Sequence, residues 1–332
     1  MLFTVFFEEC HVKQRIKKAL QKTGALDVLS HITSTGHVDI MLYHGFCPGS
    51  SRDQRFPRLM PIDEFEKQIR LFVNQGTHLR LEDLANEPSD GVVVTFDDGY
   101  ASNYELAFPI LQKYDFPATV FVTTGFVDRW VPLWGDWLEF LIMGRHPDAT
   151  SEELAQTISE LKGQLRARPI GEIHAFLHSL SAHLQIYYDW SRIPDVLRPL
   201  SWDQIRHMRN SGLISFGAHT VSHPVLSRCP EATQEEEIIN SKIRLEEELD
   251  EPCTLFAYPY GKRSDYTGRT KKFVEDAGYL LALSAESGFN QPLLSDHYEL
   301  KRWGGDIGND DVGYIISGGP AVSQYLWRHR PN

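Results

Sequence analysis

Six short apolar runs recur along the chain, Val38 to Tyr43, Gly91 to Phe96, Ala118 to Thr123, Leu213 to Gly217, Thr254 to Tyr258 and Leu280 to Leu283. Each is apolar nearly throughout rather than at every second residue. That is the pattern of strands covered on both faces, which belong to parallel sheets joined by helical crossovers. Between the runs, Ile62 to Asn74, Asn103 to Tyr114, Trp202 to Ser211, Thr233 to Leu249 and Lys271 to Ala277 read as those crossovers. The alternation predicts an α/β fold with a mainly parallel sheet, open or closed into a barrel. A chain of 332 residues, 42% of them hydrophobic, is long enough for one large core of this kind with additions.

Two additions stand outside the alternation. Residues 1–36 form an N-terminal arm, in which a helix from His11 to about Leu29 would set Val12, Ile16, Ala19 and Leu20 on one face beside Lys13, Arg15, Lys17, Lys18 and Lys22. Such a helix can pack on the main domain with solvated lysines. It can also rest peripherally on an anionic membrane surface with the apolar Leu2 to Phe7 as a shallow anchor. The second addition interrupts the main domain, residues 37–332, at about 128–200. There Leu154, Ile158, Leu161 and Leu165, then Ile173, Phe176, Leu177, Leu180 and Leu184, recur at helical spacing. Trp130, Trp134 and Trp137 at its start are either the core of this helical insertion or a wall on which sugar rings stack.

The chemistry-bearing residues follow the strands. His44, Asp97, Asp98, His219 and Pro259 each lie just past the C-terminal end of a predicted strand, the end where α/β folds place their sites. Adjacent carboxylates such as Asp97 and Asp98 repel unless a cation or a proton separates them. A metal resolves the conflict if one carboxylate binds it while the other accepts a proton from water. A capped turn after a strand uses the same Asp-Asp-Gly residues, so the pair alone is weak. His219 and His223, at i and i+4, share a face if their segment is helical or tightly turned, and both imidazoles can then meet one ion. One carboxylate and two histidines leave coordination positions open, the arrangement of a catalytic site.

Taken in order, Thr95-Phe96-Asp97-Asp98-Gly99, His219-Thr220-Val221-Ser222-His223 and Tyr258-Pro259-Tyr260-Gly261 resemble the motifs of the polysaccharide deacetylase family, the NodB-homology or carbohydrate esterase family 4 domain. Met41-Leu42-Tyr43-His44 and Leu300-Lys301-Arg302 extend the likeness over most of the chain beyond the arm and the insertion. The resemblance implies a distorted (β/α) barrel and metal-dependent removal of an N-acyl group from an amino sugar. It implies Asp97 as general base, Asp98, His219 and His223 as metal ligands, and the Tyr260 backbone N–H as an oxyanion donor. Two departures stand out. The Arg that the family commonly carries two residues before Pro-Tyr-Gly is Ala257 here; Arg302, at the end of the last strand-like segment, is the candidate to orient Asp97 in its place, or else forms a surface or core salt bridge. The family's C-terminal Leu-x-His is absent after Tyr260. Tyr43-His44-Gly45 ends the first strand at the same rim and resembles members that open with a Tyr-His motif, which implies His44 as the general acid, the alternative being a histidine hydrogen-bonded at a strand end with no catalytic part.

The remaining expectations concern setting. Thirty-three basic against 45 acidic residues give a net charge of −12, which disfavours a nucleic-acid surface. Four scattered cysteines suit a reducing compartment, and Leu2 to Phe7 precedes its basic residues, the reverse of a secretory signal. Val312 to Trp327 is uncharged but shorter than the roughly 20 residues a spanning helix needs. These features predict a cytoplasmic enzyme, peripheral to the inner membrane face if the arm binds lipid. Its expected substrate is an N-acetylated or N-formylated amino sugar on a nucleotide- or lipid-linked intermediate of glycan biosynthesis. Zn²⁺ is the expected ion, with Co²⁺, Ni²⁺ and Fe²⁺ as alternatives set by availability. Two other readings fit the same motifs: a sugar O-deacetylase, and a non-catalytic glycan-binding or scaffold protein that keeps the barrel.

Overall fold

The computed structural model describes residues 37–51, 56, 58–76, 78–85, 90–146, 151–291 and 295–319. The arm at 1–36, with its expected helix, lies outside the described residues. The described residues contain nine strands: β1 (Val38–Tyr43), β2 (Phe46–Cys47), β3 (Met60–Pro61), β4 (Gly91–Phe96), β5 (Ala118–Val122), β6 (Ile214–Ala218), β7 (Leu255–Ala257), β8 (Leu281–Leu283) and β9 (Trp303–Gly304). Seven form one sheet in the order β8-β7-β6-β5-β4-β1-β9, every pairing parallel. The other two pair with each other.

The ends of the curled sheet are tied together by one segment. Ala282 N–H donates to the His297 carbonyl, Leu300 N–H to Ala282 and Ser284 N–H to Leu300, so residues 297–300 run along β8. Immediately afterwards Trp303 and Gly304 pair with Met41 and Leu42 of β1. This crossing closes a distorted barrel and sets Arg302 between the two contacts. Such a strand has no detectable period because it pairs over two residues only.

Strand alternation divides the apolar residues between two layers. Val38, Ile40, Val93, Phe121, Leu255, Ala257, Leu281 and Leu283 fill the barrel interior. Met41, Tyr43, Val94, Phe96, Val120, Val122, Phe216 and Phe256 face outward into a second core. That layer is covered by α1 (Ile62–Gln75), α2 (Phe108–Lys113, entered through a π-helical turn at Asn103–Ala107), α7 (Trp202–Asn210), α8 (Glu231–Leu249), α9 (Gly268–Asp276) and α10 (Asn309–Ile316). Phe121 occupies the lumen because its neighbour on β6 is Gly217; a Cβ there would lie 2.5 Å from the Phe121 ring and 2.8 Å from the Leu255 carbonyl oxygen.

After the short α3 (Thr124–Val127), the stretch between β5 and β6 carries three longer helices: α4 (Trp134–Arg145), α5 (Ser151–Leu165) and α6 (Ile170–Leu184). Trp134 and Trp137 are buried in its own core with Leu138, Leu141, Leu165, Ile173 and Leu177, so they are packing residues. Trp130 alone of the three is exposed, at 71%. The insertion is tied to the loop before β3 by Arg58, which pairs with Asp136 and Glu139 of α4, while Lys162 of α5 also reaches Glu139. Among the described residues no helix is long and apolar enough to cross a membrane.

Candidate metal centre

Strands β4 and β6 deliver the ligand candidates to the same rim. After β4 the chain turns sharply, with Asp98 at φ +76° and Gly99 at φ +89°, which swings the Asp98 carboxylate away from Asp97. After β6, His219 continues the strand and His223 returns to it through an irregular loop. The segment is not helical: Thr220 and His223 have φ of +64° and +58°. Non-glycine residues pay strain for such backbone, and they concentrate at functional sites. The Oδ1 of Asp98 lies 3.3 Å from His223 Nε2 and 3.7 Å from His219 Nε2, and one donor atom from each of the three residues lies within 4.8 Å of the others.

The donor set fits a cation. His219 Nδ1 is 2.7 Å from the Ala257 carbonyl oxygen, which can only accept, so Nδ1 carries the proton and the neutral ring turns a bare Nε2 lone pair toward the carboxylates. Burial holds His219 and His223 at a pKa of about 4, so both are neutral at pH 7. Asp98 Oδ1 is buried and has no hydrogen-bond partner, and burial pushes the Asp98 carboxyl up although His44 and His219 oppose the shift. Lone pairs facing a carboxylate oxygen without a donor are repulsive unless a positive charge sits among them. Asp, His and His are donors that borderline divalent ions accept.

Asp97 is treated differently by the same rim. Arg302, 1% exposed, bonds it through two nitrogens, Nη1 to Oδ1 at 2.7 Å and Nη2 to Oδ2 at 2.8 Å, while its Nε donates to the Ser284 carbonyl at 2.8 Å. Its guanidinium also lies 5.9 Å from the Phe121 ring centroid, so it rests on the lumen core. Burial alone would raise the Asp97 pKa, but Arg302 and His219 outweigh it and hold the carboxyl at about 2. Two adjacent carboxylates are thus set apart: Asp97 is held ionised by a bidentate cation, and Asp98 has none. Asp97 Oδ2 is 3.8 Å from His219 Nε2, next to the candidate ligand cluster. Arg302 therefore reaches Asp97 from the position just before β9, while position 257 supplies the carbonyl that sets His219.

His44 and Tyr260 border this cluster. His44 is exposed just beyond β1, its carbonyl accepts from Asn103 Nδ2 at 2.7 Å, and its ring is near enough to couple electrostatically to Asp97, Asp98 and His223. Tyr260 has φ +62°, and its ring lies 4.8 Å from that of His223 on one side and 4.4 Å from the Arg166 guanidinium on the other. Arg166, just past α5, also bonds Asp265 Oδ2 at 2.7 Å, and the same oxygen accepts the Lys262 N–H at 2.9 Å. The insertion therefore reaches the Pro-Tyr-Gly turn. Sequence reasoning did not single out Arg166, because an arginine past a helix end in an acidic chain carries no motif.

Comparison with known proteins adds three findings. The family model described as polysaccharide deacetylase matches residues 85–282, more than half the chain. The Bacillus subtilis protein YxkH, which carries a polysaccharide deacetylase name, is 23% identical over 287 residues, covering 83% of this chain and 75% of YxkH. Among solved structures, IcaB from Ammonifex degensii superposes with a TM-score of 0.57 at 22% identity over 86% of this chain and 97% of IcaB. The Streptococcus pyogenes deacetylase PplD, solved with acetate, gives 0.54 at 21% identity over 81% and 92%. At these identities the two structures show a shared fold.

Proposed function

The chain belongs to the polysaccharide deacetylase family, hydrolases that act on amide bonds, and from this we propose that it removes an N-acyl group, acetyl or formyl, from an amino sugar. The observation that carries the proposal is the unequal treatment of two adjacent aspartates, one paired with a buried arginine and the other left without a donor between two histidines. Asp98, His219 and His223 would hold a divalent ion, Zn²⁺ by preference, with Co²⁺, Ni²⁺ and Fe²⁺ accepted by the same donors. A bound ion of this class acts as a Lewis acid and brings the pKa of coordinated water to about 7.

The protein's own residues take the other roles. Asp97, kept ionised by Arg302, accepts the proton of the attacking water. The Tyr260 backbone N–H donates to the oxygen on which negative charge develops, a task suited to a backbone group fixed in advance. His44, at the exposed edge of the same rim, gives a proton to the departing amine. Acetate or formate and a free amino sugar are the products.

We place the substrate on a cytoplasmic nucleotide- or lipid-linked intermediate in glycan assembly. The buried unpaired cysteines Cys47, Cys229 and Cys253 agree with a reducing compartment. In this reading the basic arm at 1–36 rests on an anionic membrane; co-flotation with phosphatidylserine vesicles that persists after the arm is removed would count against that part. The reaction is tested by acid release from matched N-acyl and O-acyl sugars. His44→Ala should lower amide turnover by about 10²- to 10⁴-fold and spare ester turnover, since an alkoxide leaves with less help than an amine. Equal loss on both substrates would remove His44 from the acid role.

A further inference from the structure

The loop that carries His219 and His223 is held on both sides, and we infer that Glu237 of α8 is the positioning residue that sets the spacing of the two histidines. The inference rests on reading Asp98, His219 and His223 as a metal site. It concerns how a loop with no regular structure can present two imidazoles to one point. Three successive carbonyls are held on one side by three successive residues at the end of β5: the Thr123 hydroxyl donates to the His219 carbonyl at 3.3 Å, Thr124 N–H to Thr220 at 3.1 Å and Gly125 N–H to Val221 at 2.9 Å. Thr123 N–H also donates to the Asp98 carbonyl at 3.2 Å, so the corner that grips the histidine loop grips the third ligand as well.

On the other side the loop turns its N–H groups inward to one carboxylate. Val221 N–H and Ser222 N–H both donate to Glu237 Oε2, at 2.8 and 2.9 Å, and the Ser222 hydroxyl donates to Oε1. Successive N–H groups converge in this way where right- and left-handed residues adjoin, and the concavity they form selects an anion. Here the anion is a side chain of the protein itself. Thr220 and His223, at φ +64° and +58°, bracket those donors, and the Thr220 hydroxyl accepts the His223 N–H at 3.1 Å. Without Glu237 the two N–H groups would lose their acceptor and the left-handed residues would lose what offsets their strain. Gly125 completes the grip from the opposite face: a Cβ there would sit 2.6 Å from the Val221 carbonyl oxygen.

Groups that orient metal ligands through a second layer of bonds typically alter metal affinity by 10- to 100-fold when removed. The test is Zn²⁺ affinity of the full chain, read by competition with a chromophoric chelator, for the parent, Glu237→Gln and Gly125→Ala, each first shown to be folded by circular dichroism and a cooperative urea transition. Glu237→Gln keeps the shape but turns one acceptor into a donor, and it should weaken Zn²⁺ binding about 10- to 100-fold. Gly125→Ala, which displaces the loop from the other side, should weaken it similarly. Folded variants that bind Zn²⁺ as tightly as the parent would overturn the inference and leave the metal reading standing. A folded parent that binds no Zn²⁺ would overturn both.

Discussion

At the scale of single residues, the account turns on Arg302 and the charge it leaves on Asp97. Breaking a buried ion pair by removing one partner costs about 3–5 kcal/mol, because the other charge stays buried without compensation. Arg302→Met should therefore lower stability by that order, measured by urea unfolding. In the fraction that folds, it should move the acidic limb of the kcat/KM profile to higher pH, because burial then raises the Asp97 pKa with its largest opposing charge removed and only His219 and His44 acting against it. An acidic limb that does not move would detach Asp97 from the role of base. The histidines give a second expectation, for metal-stripped protein. Burial lowers His219 and His223 from their ordinary 6.5 to about 4, so below 6.5 the unfolded chain binds protons that the folded chain refuses. Their contribution to stability is full above pH 6.5 and is lost as pH falls toward 4; Asp97 adds a contribution that is full above 3.8 and lost toward 2. A urea midpoint that does not fall from pH 7 to 4.5 in Asp98→Asn, which removes the carboxyl whose raised pKa contributes with the opposite sign in this range, would contradict the buried, neutral histidines. Most of these residues could be singled out in the sequence: Asp97, Asp98, His219 and His223 lie at strand ends, and the family resemblance, with Ala257 where an Arg is usual, pointed to Arg302 as a candidate beside a plain salt-bridge role. Glu237 and Arg166 were not legible, because their roles consist of contacts across long stretches of chain and neither sits in a motif.

At the scale of elements, strand positions were readable and strand ends less so. Val38–Tyr43 and Gly91–Phe96 fall where their apolar runs do, since both faces of a parallel strand are covered. β9 was invisible, because two residues bridging the ends of a curled sheet show no periodicity, yet it follows directly on the residue that holds Asp97. The His219-to-His223 segment, expected as helical or tightly turned, is a loop shaped by left-handed residues, which i and i+4 spacing cannot distinguish from a helix. The 3.6-residue apolar period over 154–184 coincides with α5 and α6, but the link from α5 to the site through Arg166 has no period to show it. That link yields a prediction: Arg166→Ala removes the guanidinium from the Tyr260 ring and the tether to Asp265, letting the Pro-Tyr-Gly turn relax. Small misplacements of a fixed donor cost up to roughly a hundredfold in rate. kcat should fall about ten- to a hundredfold with KM little changed, and Arg166→Lys should recover part of it by restoring the cation over the ring. Unchanged kcat in Arg166→Ala would confine the insertion to a structural part.

At the scale of the whole molecule, the barrel brings residues more than two hundred positions apart to one rim: His44 follows β1, the aspartates follow β4, His219 follows β6, Tyr260 follows β7, and Arg302 reaches in from the closing segment. An α/β barrel concentrates strand C-termini at one end, which is why scattered short motifs could be read as a single site before any geometry was available. What the chain acts on was less legible than where it acts, because substrate choice depends on the shape of the rim and the insertion, and those follow from packing. On the proposed reading, Asp98, His219 and His223 hold a metal required for amide hydrolysis. The measurement that tests it most directly is transition-metal content per chain, with acetate and formate release from N-acyl amino sugars, for the parent and for Asp98→Ala. About one ion per chain in the parent, with both the ion and the acid release lost in the variant, is the predicted result. Acid release by a parent that holds no ion, or undiminished release by Asp98→Ala, would contradict it.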